Sequence, residues 1–179
     1  MYLFIDTETT GFVNKSLPPK DPKQARIVQL GMILTDENGV DKSRMSFLIQ
    51  PDGWQISEGA QKIHGISIEE CQKFGIPSKH AMSNFMALLQ VTDTVIAHNM
   101  AFDAKMLEIE LACHDVEIPK FKTHCTMLHN THISGGKWPK LGIAYKHFTG
   151  KEMSEDAHDA LVDAQACKEV FFASKAKAA

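Results

Sequence analysis

Short apolar runs bounded by polar or turn-forming residues predict five β-strands in this chain. The strands are predicted at residues 2–6, 26–35, 44–49, 94–98 and 121–126. The sequence Asp-Glu-Asn-Gly at residues 36–39 is typical of a tight turn, so the second and third strands are predicted to pair as a hairpin. Residues 13–24 contain three prolines and are predicted to form an exposed loop.

Helical spacing of apolar residues predicts further elements between and after the strands. Helices are predicted to begin at Ser67 and to span residues 78–89, 101–113, 139–148 and 158–173. Ser67 and the glutamate three residues later have the spacing of a capping box, and Asn99 stands where its side chain can cap the helix at 101–113. A proline opens the helix at 139–148, and Gly150 closes it.

The order of these elements, β-β-β-α-β-α-β-α-α, predicts an α/β fold in which helices flank a central mixed five-stranded sheet. The second strand is predicted to run antiparallel to its neighbours. A chain of 179 residues that is 44% hydrophobic and 23% charged is long enough for a sizeable core. We therefore expect one domain over residues 1–174, followed by a frayed tail at residues 175–179.

Composition narrows the class of protein further. The N-terminus carries no basic segment ahead of a long apolar run, and no later run is long enough to span a bilayer, so we expect a soluble, cytoplasmic protein with no membrane partner. The four cysteines are widely spaced without a C-x-x-C pair, which indicates buried thiols rather than disulfides. The net charge of -3 does not by itself indicate a nucleic-acid surface.

Two acidic residues at the end of the first strand point to a functional site. Asp6 and Glu8 are two residues apart, so their side chains leave an extended strand on the same side and repel each other. Water at the strand end, a shared proton or a bound cation would each offset that repulsion.

Further acids at the ends of other elements favour the cation. Asp103 lies in the first turn of a predicted helix and Asp163 lies on the last helix. Carboxylate oxygens are the ligands that Mg²⁺ prefers, and two such ions suit a site that binds phosphate. His158 is predicted to lie on the turn entering the last helix, where its imidazole can take a proton from an attacking water. This set of residues predicts phosphodiester hydrolysis.

Three sequence motifs resemble those of a known family. FIDTETTG at residues 4–11, HNMAFD at 98–103 and HDALVD at 158–163 resemble, in order, the three motifs of the DEDDh or DnaQ-like 3′-5′ exonucleases. This family has the ribonuclease H-like three-layer fold and includes the proofreading subunit of bacterial replicative DNA polymerase. KIHGIS at 62–67 and KWPKLGIAYKHFTG at 137–150 add to the resemblance, which spans nearly the whole chain.

The resemblance implies a role for each matching residue. Asp6 is expected to bridge two divalent cations, Mg²⁺ or Mn²⁺, with Glu8 and Asp163 completing one site and Asp103 holding the second ion. His158 is expected to be the general base. Positions that match those contacting the terminal nucleotide in the family are Thr9, His64, His98, Asn99 and Phe102.

The implied substrate is the 3′ end of single-stranded or frayed nucleic acid, with DNA favoured over RNA and nucleoside 5′-monophosphates as products. Replication or repair proteins are candidate partners, and both monomers and homodimers occur in the family. The chain ends with its last predicted helix, so no polymerase-binding extension is expected. A ribonuclease H-like endonuclease and a non-catalytic nucleic-acid-binding module remain as alternatives.

Some residues near these motifs also have purely structural explanations. Asp159 is predicted to interact with the dipole of the last helix rather than with metal. His98 and Phe102 also suit a polar group at a strand end and a core side chain. A Cys/His-rich stretch between residues 113 and 132 matches no zinc motif in its spacing, so it is predicted to hold core thiols and surface histidines.

Overall fold

The computed structural model describes residues 1–153 and 158–178. Its five strands are β1 (Tyr2–Thr9), β2 (Ile27–Thr35), β3 (Asp41–Leu48), β4 (Thr94–Ala97) and β5 (Thr123–Cys125). Its helices are α1 (Glu58–His64), α2 (Ile68–Phe74), α3 (Ser78–Leu89), α4 (Met100–Cys113), α5 (Thr126–His129), α6 (Leu141–Thr149) and α7 (Ala160–Ala178). A short 3-10 helix, Thr131–Ser134, follows α5. No helix in these described ranges is both long and apolar enough to cross a membrane.

The strands form one mixed sheet in the order β3-β2-β1-β4-β5. β2 is antiparallel to β1 and β3, whereas β4 is parallel to β1 and β5. The predicted hairpin and the predicted antiparallel second strand are therefore confirmed. Because β1, β4 and β5 run in one direction, their carboxyl ends meet at one edge of the sheet, where ligands commonly bind in α/β folds.

Helices cover both faces of the sheet, as the predicted three-layer fold requires. Alternate residues of β1 enter two separate cores: Leu3 and Ile5 join the larger core, which includes buried residues of α3 and α4. Phe4 joins a smaller core with α7, and its ring lies 5.6 Å from that of Phe171. Burial of apolar side chains on both sides of the strand stabilises the order helix-sheet-helix.

Several predicted boundaries were wrong by a few residues. β1 continues to Thr9, because its polar end remains paired with β2 although it lacks apolar periodicity. α6 begins at Leu141, so the proline at position 139 precedes the helix rather than opening it. Asn99 is the residue before α4, but its backbone is left-handed at φ 82° and its side chain makes no capping hydrogen bond.

The last helix also differs from its prediction. α7 begins at Ala160 and continues through Ala178, so the tail predicted to be frayed from Lys175 is helical as far as Ala178; Ala179 lies outside the described residues. The Lys175 ammonium lies 5.5 Å from the centre of the Tyr2 ring, a cation–π contact that attaches this end of the helix to β1.

Candidate active site

β1 carries two acidic side chains to the edge of the sheet where it ends. Asp6 is half-buried and Glu8 is buried. Alternation along the strand places both on the side of Phe4, which packs against α7. Asp6 pairs with Gly31 and Glu8 pairs with Gln29 in the antiparallel register, so the two carboxylates extend from a backbone held by the sheet.

The start of α7 is attached to β2 by a pair of side chains. The Gln29 amide donates from Nε2 to Asp159 Oδ2 at 2.7 Å, and its Oε1 accepts from the Ala160 amide at 3.0 Å. Asp159 Oδ1 accepts from the amides of Leu161 and Val162, which makes it the cap of α7. Asp159 is therefore structural, as predicted, and it caps the helix in addition to the predicted dipole interaction.

Gly31 lets α7 approach the sheet directly opposite Asp6. A Cβ built on Gly31 lies 2.3 Å from the carbonyl carbon and oxygen of Ala160, distances that real Cβ atoms do not tolerate. The clash is with backbone and cannot be relieved by a side-chain rotation. A glycine within a buried strand therefore determines how closely the helix bearing Asp163 sits to β1.

Replacing Gly31 by alanine is expected to destabilise the protein by about 3 kcal/mol, the upper end of overpacking costs, because α7 must move away from the sheet. Nuclease activity is expected to fall as well, since Asp163 moves with the helix. Urea denaturation and activity assays measure both effects. Gly142→Ala is the matched control, because its added Cβ would meet only the Met153 sulfur at an ordinary 3.7 Å. Equal stability of the two variants would contradict this account.

A third acid reaches the same edge from α4. Asp103 lies in the first turn of α4, as predicted, and is only 3% exposed. The Thr7 hydroxyl donates to Asp103 Oδ1 at 2.9 Å and so orients the carboxylate. Burial raises the pKa of Asp103 to about 7, although the hydrogen bond from Thr7 opposes the shift.

Burial raises the pKa values of the acids at this edge, and repulsion between the acids adds to the shift for Asp6 and Glu8. Burial raises the pKa of Asp6 well above its usual value, and repulsion from Asp103, Asp163 and Glu8 raises it further. Burial, followed by repulsion from Asp163 and Asp103, raises the pKa of Glu8 to about 8. The pKa of Asp163 is also raised by burial. The four predicted ligands are thus close enough to interact.

His158 completes the cluster. Its backbone has φ 77°, in the left-handed region, on the turn before α7, and its amide lies 3.4 Å from Asp163 Oδ1. Potential ligand atoms of Glu8, His158 and Asp163 all lie within 4.8 Å of one another. In the part of the chain that the structure describes, no other three His, Cys, Asp or Glu side chains come together in this way, the Cys/His-rich stretch included.

The donor set fits hard divalent cations. Oxygen-rich carboxylate clusters bind Mg²⁺ and Mn²⁺, and a bound cation removes the repulsion that raises these pKa values. The edge of the sheet is therefore a candidate acidic metal site.

A cavity of about 370 Å³ opens beside the acids. Three of the predicted substrate contacts line it, namely Thr9, His64 and Phe102, together with Glu8 itself. Its other walls are largely apolar and include Phe12 and Ile63. His64 is oriented by its Nδ1, which accepts from the Ile66 amide at 3.0 Å, and burial lowers its pKa.

The predicted role of His98 in substrate binding does not fit its contacts. His98 Nε2 lies 2.9 Å from the carbonyl oxygen of Pro139, and its Nδ1 lies 2.9 Å from Thr126 Oγ1. A carbonyl can only accept, so Nε2 carries the hydrogen and Nδ1 accepts from the hydroxyl. Burial lowers the pKa of His98, which favours this neutral form. Both ring nitrogens of His98 therefore form hydrogen bonds to other residues of the protein. Asn99 is exposed and, like His98, does not line the cavity.

Residues that position the site were missed by the sequence analysis. Thr7 donates a hydrogen bond to Asp103, and Gln29 donates one to Asp159. Gly31 leaves room for the start of α7 against the sheet. The sequence did offer a signal for two of these residues. β2 contains a glutamine and a glycine among apolar residues, and each is unfavourable inside a buried strand unless it makes a specific contact.

Comparisons with known proteins agree with this geometry. A sequence profile described as Exonuclease matches residues 3–171. The DNA polymerase III subunit epsilon of Rickettsia prowazekii is 31% identical over 96% of this chain and 72% of its own length. The subunit epsilon of Escherichia coli is 27% identical over 96% of this chain and 70% of its own length.

Solved structures share the fold at lower identity. A zinc-bound complex of E. coli exonuclease I with single-stranded DNA superimposes with a TM-score of 0.77 at 20% identity, over 98% of this chain. This chain spans only 40% of the length of that exonuclease I chain. S. pombe Pop2p in its Mg²⁺- and Mn²⁺-bound form superimposes with a TM-score of 0.77 at 16% identity, over 98% of this chain and 83% of its own. The profile match and the epsilon subunits together show that this chain belongs to the DnaQ-like 3′-5′ exonuclease family.

Proposed function

We propose that this protein removes nucleoside 5′-monophosphates from the 3′ end of single-stranded or frayed DNA in a metal-dependent reaction. The observation that carries the proposal is the position of the acidic cluster with His158 directly beside the cavity, since Glu8 belongs to both. A terminal nucleotide held in this cavity would have its phosphodiester next to the carboxylates.

Two divalent cations, Mg²⁺ or Mn²⁺, are proposed to bind Asp6, Glu8, Asp103 and Asp163. When bound, the cations supply positive charge that stabilises the phosphorane-like transition state and the leaving oxygen. The raised pKa values of the buried acids support this assignment, because like charges gathered in a buried site favour a cation. Cation-bound structures of similar folds also support it.

His158 is proposed to act as the general base. Its side chain is exposed, and it lies on a turn within reach of Glu8 and Asp163. From this position the imidazole would take the proton of the attacking water.

The cavity accounts for the proposed preference for a free, unpaired end. Its apolar walls suit a base and sugar, while Thr9 and His64 supply polar groups near the acids. A frayed or single-stranded end enters at a smaller cost than a stacked, paired one.

Preference for DNA over RNA rests on the relatives, which include DNA polymerase III subunits and an exonuclease I complex with single-stranded DNA. We extend the proposal to a cytoplasmic role with replication or repair proteins.

Digestion of a 5′-labelled single-stranded DNA oligonucleotide tests the proposal. With Mg²⁺ or Mn²⁺ we expect a ladder that shortens by one nucleotide at a time from the 3′ end, and no digestion in EDTA. A circular single strand of the same sequence should remain intact, because it has no 3′ end. Cutting of the circle would show an endonuclease instead, and binding without cleavage would show a non-catalytic module. A matched RNA oligonucleotide measures the sugar preference.

The His158→Asn variant is expected to lower kcat by about 10²- to 10⁴-fold, the usual contribution of a general base. Asparagine tolerates the left-handed backbone of residue 158, so the turn is preserved while the base is lost. Single-turnover kinetics measure the effect, and circular dichroism checks that folding is unchanged. Wild-type kcat in this variant would remove His158 from the mechanism.

A further inference from the structure

An exposed tryptophan lies between two lysines in the loop ahead of α6. The loop, residues 135–140 with the sequence GGKWPK, is called here the tryptophan loop. Trp138 is 70% exposed although an indole is among the most favourable side chains to bury. Lys137 and Lys140 are exposed too, and neither forms an ion pair with any carboxylate in the described ranges.

The tryptophan loop is attached to the edge of the sheet that bears the acids. The carbonyl of Pro139, the residue next to Trp138, accepts the hydrogen bond from His98 at 2.9 Å. In the parallel pairing of β1 and β4, Phe4 lies opposite Ile96. Continuing that register by two residues brings His98 level with Asp6. The hydrogen bond from His98 therefore attaches the loop at the edge of the sheet where β1 and β4 end, although the His98 ring does not line the cavity.

A second contact holds the same C-terminal end of the loop to the helix that carries Asp163. Leu141, the first residue of α6, packs against the small core that contains Phe4 and Ala164 of α7. Ala164 is adjacent in sequence to Asp163. These two anchors follow Trp138, and backbone hydrogen bonds from the Gly136 and Lys137 amides to the preceding 3-10 helix hold the loop ahead of it, while the indole stays in solvent.

We propose that the tryptophan loop is a second DNA-binding site, on which Trp138 stacks with a base upstream of the terminal nucleotide while Lys137 and Lys140 contact the adjoining phosphates. This inference rests on the proposed function, because it extends the path of the same strand. Exposed aromatic residues combined with cationic side chains are the usual means of holding single-stranded nucleic acid without sequence preference.

Charge explains why such a site is useful here. The catalytic edge contains clustered carboxylates, and the protein carries a net charge of -3, so the approach of a polyanion is unfavourable beyond the reach of bound cations. Lys137 and Lys140, which form no ion pair with a carboxylate of the described residues, supply local attraction for phosphates at the tryptophan loop. A stacked upstream base keeps the strand attached after each terminal nucleotide has left.

Tryptophan fluorescence tests binding without relying on turnover. The chain contains two tryptophans, Trp54 and Trp138, and Trp54 is only 8% exposed. Replacing Trp54 by phenylalanine leaves Trp138 as the single reporter. In the slow His158→Asn background with Mg²⁺, titration with a (dT)12 oligonucleotide is expected to quench Trp138 emission and to protect it from acrylamide. Unchanged emission and unchanged acrylamide quenching at saturating DNA would overturn the proposal.

Kinetics with a long and a short substrate separate this site from the cavity. For Trp138→Ala, the ratio of KM for (dT)12 to KM for thymidine 5′-p-nitrophenyl phosphate is expected to rise about 5- to 100-fold, the range for removal of one base–aromatic stack. Trp138→Phe should recover most of the affinity because its ring still stacks. A merely structural role for Trp138 would change kcat or KM for both substrates alike, and that result would overturn the proposal.

Phe74→Ala is the matched control. Phe74 is also an exposed aromatic beside a lysine, with the Lys73 ammonium 5.0 Å from its ring centre, but it lies at the end of α2. The KM ratio in Phe74→Ala should equal that of the wild type. An equal rise in both aromatic variants would show a nonspecific effect and overturn the assignment to this loop.

Salt dependence tests the lysines separately. In the Trp54→Phe, His158→Asn background, replacing Lys137 and Lys140 by glutamine should reduce the slope of log K against log salt by about 0.7 for each phosphate that the variant no longer neutralises. An unchanged slope would remove the lysines from the proposal. If wild-type protein cleaves neither substrate while Trp138 is still quenched by DNA, the proposed function fails and the binding site stands.

Discussion

The Asp6→Asn variant is expected to lose metal-dependent turnover by about 10³-fold or more and, at the same time, to become more stable than the wild type in EDTA. Asp6 is repelled by Asp103, Asp163 and Glu8, so neutralising it removes unfavourable energy from the metal-free fold. It also removes a proposed metal ligand, whose loss would cost several kcal/mol of transition-state stabilisation. Single-turnover digestion and thermal denaturation in EDTA measure the two effects. For a chain of this size, each kcal/mol gained raises Tm by about 2–4 °C.

Asp159→Asn is the matched control for Asp6→Asn. The charge of Asp159 also raises the pKa of Asp6, but the oxygens of Asp159 cap α7 and accept a hydrogen bond from Gln29. Asparagine retains an oxygen for the cap, but its amide nitrogen faces the Gln29 amide nitrogen, so this variant should lose some stability and retain turnover. Wild-type activity in Asp6→Asn, after removal of contaminating nuclease, would exclude the proposed site. A lower stability in EDTA would show that Asp6 contributes favourably to the fold instead.

Metal-free protein is expected to lose stability as pH rises from about 4 to about 8, and Mg²⁺ or Mn²⁺ should restore it most strongly at the upper end. The pKa of Glu8 rises from 4.5 when unperturbed to about 8 in the fold, and that of Asp103 rises from 3.8 to about 7. A carboxyl with a raised pKa holds its proton more tightly when folded. The folded state therefore loses stability between the unfolded and folded pKa values, and the full cost is present above the folded value.

Thermal denaturation at pH 5, 7 and 9, in EDTA and in 10 mM Mg²⁺, measures this linkage. Because a tenfold change in a protonation equilibrium corresponds to about 1.4 kcal/mol, shifts of this size are expected to lower Tm by more than about 10 °C across the range. Asp6→Asn should show a weaker dependence, since one source of repulsion is gone. A Tm in EDTA that is independent of pH, or that Mg²⁺ leaves unchanged at pH 9, would contradict the metal assignment.

The predicted site residues differ in how well local sequence could place them. Asp6, Glu8, Asp103 and Asp163 stand at or near the ends of strongly patterned elements, so the α/β topology alone brings them to one edge. His98 occupies a motif position, yet its ring is held by Pro139 and Thr126, which lie 41 and 28 residues away in the chain. Periodicity cannot report such distant hydrogen bonds, because both partners lie outside regular elements or at their boundaries.

The predicted boundaries of strands and helices were wrong where contacts with distant parts of the chain override the local conformational preference of the residues. β1 extends through four polar residues because β2 supplies backbone partners for them. Asn99 was expected to cap α4, but it adopts a left-handed backbone at the turn between β4 and the helix. At the other end of the chain, contact with Tyr2 helps to hold residues that composition alone marked as a tail.

The sequence by itself determined the alternation of strands and helices, the antiparallel second strand and the identity of the acids and of His158, because these depend on local periodicity and on side-chain chemistry. The tertiary structure decided how close those groups come. Gly31 and Gln29 on β2 place the start of α7 against the sheet, and Thr7 orients Asp103. The same packing leaves Trp138 exposed in the loop ahead of α6. The distances between strands and helices depend on contacts between residues that are remote in sequence. Those distances are therefore set only when the chain folds.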